Sequence, residues 1–199
     1  MTTAGAITRP DAGIAWSLPD RGRVGMYGLI AAEAAIFTIF VVAYLFYVGK
    51  SVTGPQPNQV LHTPVLLTIC LLSSSVTIHA AVTALRGART GAFLSWLALT
   101  VALGAVFLGG TAREWHHLIY DEGLTIRTNL FGTSYYSLVG LHAFHVVVGL
   151  LALSTVLTLA LRGHVRREHS ERVDVLSLYW HFVDAVWVVV VTVVYVIGR

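Results

Sequence analysis

Six ionisable side chains stand inside long apolar runs of this chain: Glu33, His79, His142, His145, His181 and Asp184. A charge at the middle of a membrane helix costs about 2.5–3.5 kcal/mol on insertion scales, so such groups persist where they face other helices and have partners. Glu33 admits three readings: a neutral acid donating to a histidine or a carbonyl, a carboxylate paired with a protonated histidine, or a member of a proton path. Structural pairing leads among these. His142-Ala143-Phe144-His145 sets two imidazoles three residues apart on one helical face. That spacing can chelate a metal, but a lone pair is a weak signal, and the carboxylates of a di-metal bundle site are missing. Bis-histidine ligation of a haem between facing helices is the rival reading, that of a stand-alone cytochrome. His181 and Asp184 are also three apart, and a direct bond between them would fix the imidazole tautomer. A core polar pair is at least as good an account of them as a relay. Trp180, Asp184 and Trp187 fall on one stripe, which reads first as a packing face.

These residues need helices that cross a bilayer. Of the 199 residues 56% are hydrophobic and 12% charged, about half the charge a soluble domain carries, and the mean hydropathy is +0.74. Five runs are long and apolar enough to span, at roughly 25–48, 63–85, 92–110, 130–161 and 175–198. The fourth is long enough to tilt or to project beyond the lipid. Continuous rather than alternating hydrophobicity argues against a β-barrel. The fold class is therefore an all-α integral membrane bundle of five transmembrane helices, with a polar tail over 1–24 and the membrane domain over 25–199. The tail has no apolar core of a secretory signal, so the first helix would serve for insertion.

Charge bias orients the bundle. Arg9, Arg21, Arg23, Arg86, Arg89, Arg162, Arg166, Arg167 and Arg172 fall on one side, against Lys50, Arg113, Arg127 and Arg199 on the other. The positive-inside rule then places the N-terminus in the cytoplasm and the C-terminus outside. A pI of about 9.2 does not point to nucleic acid, because the basic residues are scattered in short loops without a stripe or motif. Cys70 is the single cysteine, which excludes an intrachain disulfide. Residues 51–62 read as a short external loop with Pro55 and Pro57. Residues 111–129 read as a longer one in which Trp115, Leu118 and Ile119 mark a helix lying in the interface, with His116 and His117 outside the lipid.

Depth groups the polar residues. At 1.5 Å per residue, Glu33, His79, His181 and Asp184 all fall about 10–15 Å from the cytoplasmic edge. Four groups from three helices in one layer imply that these helices meet around a polar cluster. His142 and His145 fall nearer the midplane. Ser73, Ser74, Ser75 and Thr77 in the second run, with Gly104, Gly109, Gly110, Gly140 and Gly149 in the third and fourth, suit close helix approach and carry little functional information.

Four segments resemble subunit III of the haem–copper oxidases, a family of cytochrome c and quinol oxidases. They are Gly25-Met26-Tyr27-Gly28 through Glu33 and Tyr44; Leu72 through His79; Thr128 through Thr133 with Gly140 through Val146; and Tyr179 through Trp187. Their order is the family's, and the likeness covers nearly all the chain after residue 22. It is to the five-helix bacterial form, which lacks the first two of the seven helices of the long form. The resemblance implies a multi-pass subunit of the bacterial plasma membrane that itself binds no haem, copper or other metal and has no catalytic residue. Haem and copper would belong to partner subunits I and II, with subunit I reducing oxygen to water and pumping protons. It further implies bound phospholipid, support of proton uptake and protection of the complex. Glu33 matches the family's buried carboxylate, and His79, His142, His145, His181 and Asp184 its other polar residues. Arg86, Trp115, Trp180 and Trp187 are the candidates for contact with lipid or a partner subunit.

Overall fold

The computed structural model describes residues 21–51, 54–61 and 63–198. Arg9, Arg199 and most of the polar tail lie outside these residues. Among them all regular structure is helical: α1 (Arg21–Tyr47), α2 (Pro57–Val60), α3 (Val65–Arg86), α4 (Thr90–Tyr120), α5 (Leu130–Leu161), a short 3₁₀ turn (Arg167–His169) and α6 (Ser170–Val191), which continues as a π-helical segment (Thr192–Ile197). Five helices are long and apolar enough to cross a membrane: α1, α3, α4, α5, and α6 with its flanking turns. The protein is thus an all-α, multi-pass membrane bundle, as the runs of apolar residues imply. Leu130–Leu161 matches its expected span to the residue.

One expectation is corrected. No separate interfacial helix holds Trp115, because α4 runs unbroken to Tyr120. Its backbone has no proline to stop it there, and its last turns are covered from inside: Leu118 is buried and Trp115 packs edge-on against Tyr136 of α5. His116 and His117 therefore sit on a helix, with His117 3.8 Å from Asp121.

α3 and α4 form a close hairpin; α6 packs against α3, α5 against both α4 and α6, and α1 lies against α5 and α6. Local signals fix the ends. Asn129 caps α5 by accepting from the Gly132 amide at 2.8 Å. At the other end Gly163 takes φ +75°; its amide donates to the Ala160 carbonyl and that of His164 to Leu159. This is the left-handed helix stop that glycine adopts without steric cost. The outward faces stay apolar: Ile39, Val42, Leu66, Val76, Leu151 and Val196 are all exposed on the isolated chain, as a lipid-facing surface requires.

Candidate functional site

The expected single polar layer resolves into two separate junctions. Depth along a helix fixes height but not direction, and α1 packs on α5 and α6 rather than on α3. Glu33 of α1 therefore meets His145 of α5, with Oε2 3.1 Å from Nε2. The second nitrogen of that ring, Nδ1, is 2.7 Å from the Leu141 carbonyl. A carbonyl only accepts, so Nδ1 carries a proton. The contact at Nε2 then needs a proton too: either Glu33 is an acid donating to a neutral ring, or Glu33 is charged beside an imidazolium. In both cases one proton is shared and the pair is net neutral. The Tyr179 hydroxyl closes the junction from α6 by donating to the His145 carbonyl at 3.2 Å.

The second junction joins α3 and α6. His181 and Asp184 do not bond each other; Ser75 stands between them. Its Oγ is 3.0 Å from His181 Nδ1 and donates to Asp184 Oδ2. Asp184 is buried, and its Oδ1 has no partner among the described residues. His79, expected within the cluster, is on the exposed face of α3.

His142 belongs to neither junction. It is buried in an aromatic cage, stacked on Trp187 at 5.0 Å and flanked by Phe37 and Phe107. His145 is turned to Glu33, so the two histidines have different surroundings rather than one shared ligand. Among the described residues no three His, Cys, Asp or Glu side chains gather with metal-binding geometry.

Trp180 and Trp187 are core residues, not surface anchors. Trp180 fills space left by two glycines: a Cβ on Gly149 or Gly104 would come within 2.8 or 2.9 Å of its ring carbons. Its indole N–H donates to Ser74 at 2.8 Å, and that of Trp187 to Thr68 at 3.1 Å. The hydroxyl row of α3 thus bonds across to α6 through three side chains, Thr68, Ser74 and Ser75, the last of them twice. Gly110 is covered by Leu67, whereas Gly109 faces open space. Trp115 is half-buried. Arg86 reaches Asp174 at 2.9 Å, and Arg23 reaches both Asp174 and Glu171, so one ionic knot ties α1, α3 and α6 at one end of the bundle.

Two polar groups were not legible as site residues. Ser75 reads in the sequence as a packing hydroxyl. Its depth was the usable signal: eleven residues before Arg86, about 16 Å along the helix, matches Asp184. Glu114 falls in the supposed loop, yet it accepts from Tyr195 at 3.0 Å, whose hydroxyl is 3.3 Å from that of Tyr135. Tyr195 lies on the π-helical segment, a local irregularity that sequence periodicity does not show.

Comparison with known proteins covers this whole bundle. The model of the family "Cytochrome c oxidase subunit III" matches residues 21–199. A cytochrome c oxidase subunit 3 of Synechocystis is 37% identical over 90% of this chain and 77% of its own length. One from Alkalihalophilus pseudofirmus is 33% identical over 88% and 86%. A cytochrome bo(3) ubiquinol oxidase subunit 3 of Pseudomonas aeruginosa is 33% identical over 87% and 84%.

Proposed function

The chain belongs to the cytochrome c oxidase subunit III family, and on that premise we propose that it is the non-catalytic third subunit of a proton-pumping aerobic terminal oxidase. It is a multi-pass plasma-membrane protein and so part of an oxidoreductase complex, whose oxygen chemistry lies in subunit I. Haem and copper are held by subunits I and II, and this chain supplies support: proton uptake, phospholipid binding and stability of the complex. The family match from residue 21 to the C-terminus carries this reading. The N-terminus lies in the cytoplasm, supported by the excess of arginine on that side.

Two features support the finer roles. Glu33 and His145 share a proton inside the bundle, where an ionisable pair is a functional candidate by default. Grooves of about 260 and 200 Å³ flank α1. The first is lined by Phe40, Ala43, Tyr47 and Leu130 with Thr133, Ser134 and Ser137 along one side, the second by Ala34, Phe37, Thr38, Val41, Val186 and Val189. Apolar walls of this kind suit acyl chains.

The test is affinity purification of the tagged chain from native membranes in mild detergent, with a visible spectrum of the eluate. Larger subunits and a-, o- or b-type haem absorption should co-elute. A colourless chain eluting alone would count against the partnership. The rival reading, in which His142 and His145 ligate a haem, requires that replacing both by alanine bleach the preparation. The proposed function requires that any complex so formed keep its spectrum.

A further inference from the structure

We propose that His181, Ser75 and Asp184 form a proton relay, in which Asp184 is a buried proton-holding site loaded through the Ser75 hydroxyl. The inference concerns this chain's own groups and is independent of the partnership proposed above.

Hydrogen-bond accounting carries it. A serine hydroxyl has one proton and two lone pairs. Ser75 bonds the ring nitrogen of His181 and the carboxyl of Asp184 at once, so with the ring neutral only two arrangements satisfy all three groups. In the first, His181 Nδ1–H donates to Ser75, and Ser75 donates to the Asp184 carboxylate. In the second, a protonated Asp184 donates to Ser75, and Ser75 donates to the bare Nδ1 of a ring protonated at Nε2. The two differ by one proton and a reversal of both hydrogen bonds.

Passage between them is a balanced step. A proton arrives at His181 Nε2. The Nδ1 proton moves to Ser75 Oγ as the hydroxyl's own proton moves to Asp184 Oδ2. The ring ends neutral and Asp184 ends protonated, with one proton gained overall and no bond other than N–H and O–H made or broken. Release runs the same steps backward.

Placement agrees with this direction. His181 is half-buried, and exposed His79 stands within electrostatic reach of it; Asp174 acts on it from the same helix. Asp184 is sealed: it is 2% exposed, and among the described residues Ser75 is the only side chain that hydrogen-bonds its carboxyl. A proton moving along side-chain hydrogen bonds of this structure reaches Asp184 through Ser75.

The test uses the full chain in lipid nanodiscs and two isosteric variants, Ser75→Thr and Ser75→Val, which differ in the hydroxyl alone. The readout is the carboxylic C=O band of Asp184 in infrared difference spectra, identified by its loss in Asp184→Asn, and its rate of hydrogen–deuterium exchange. Wild type and Ser75→Thr should exchange at similar rates, and Ser75→Val should be slower by about a hundredfold, the lower range of what a positioned proton-transfer group contributes. Equal exchange in the threonine and valine variants would overturn the relay. So would the absence of any Asp184-dependent C=O band between about pH 5 and pH 9, the span around neutrality in which a working acid–base group must change state.

Discussion

α1 and α6 are both apolar spans, yet the bundle holds them differently. Half of the apolar stretch of the α6 span is buried inside the protein, against 11% of that of α1. α6 is locked by shape, with Trp180 seated over Gly104 and Gly149 and Trp187 stacked on His142. α1 contributes only Phe37 and Tyr44 as buried residues and is joined by the Glu33–His145 pair and, at one end, by Arg23. In lipid there is no hydrophobic force drawing helices together, so packing and polar links decide association. Stability should therefore reside around α6, while α1 should depend on the Glu33–His145 contact and the Arg23 ion pairs.

The sharpest way to break this contrast is at Trp180. Trp180→Ala should cost about 3–5 kcal/mol, as the loss of a large buried aromatic does, in reversible unfolding by detergent titration. A loss below about 1 kcal/mol, the scale of an ordinary substitution, would mean that the bundle is not anchored there.

The glycine slots sharpen it. Gly149→Ala places a methyl 2.8 Å from two rigid ring carbons of Trp180, and overpacking of this kind costs about 1–3 kcal/mol. Gly109→Ala is the control, since nothing lies within 4 Å of its added Cβ; it should stay within about 0.5 kcal/mol of wild type. Equal effects at the two sites would show that helix propensity, not fit to Trp180, governs α4 and α5.

The spans were legible because a bilayer imposes length and apolarity on every crossing, and that constraint is written residue by residue. The buried ionisable residues were legible for the same reason: in lipid each is an exception. Their partners were not. Which way Glu33 faces depends on how α1 packs, and no local pattern distinguishes α5 from α3 as its neighbour. Trp180 and Trp187 admitted two readings, a packing face and a surface contact, because an amphipathic ring suits a core and an interface equally well; the structure bears out the packing face, with Gly104 and Gly149 against Trp180 and Phe107 and His142 against Trp187. The stop of α4 was misplaced because a helix emerging from lipid turns polar without ceasing to be a helix.

At the α1 junction, His145→Phe keeps an aromatic ring and removes the partner of Glu33. The expected cost is about 1–2 kcal/mol, the upper range for a polar link between membrane helices, and it should appear locally. Spin labels on α1 and α5 should report a broadened distance distribution, while labels on α3 and α6 should not change. Broadening in both pairs would join α1 to the same cooperative unit as α6.

Glu33→Gln is the smallest change and the most discriminating. The amide can still donate to His145 Nε2 while Nδ1 stays on the Leu141 carbonyl, so the contact survives and stability should move by no more than about 0.5 kcal/mol. What disappears is the shared proton, because an amide does not exchange charge with an imidazole. If the junction serves only to dock α1, the assembled oxidase should keep its phospholipid and its activity over many turnovers. If the proton matters, assembly should be normal while retained lipid falls or activity decays during turnover. The second outcome is the expected one, measured by lipid analysis and by oxygen consumption followed to inactivation, because an ionisable residue kept inside a membrane bundle is a functional candidate by default.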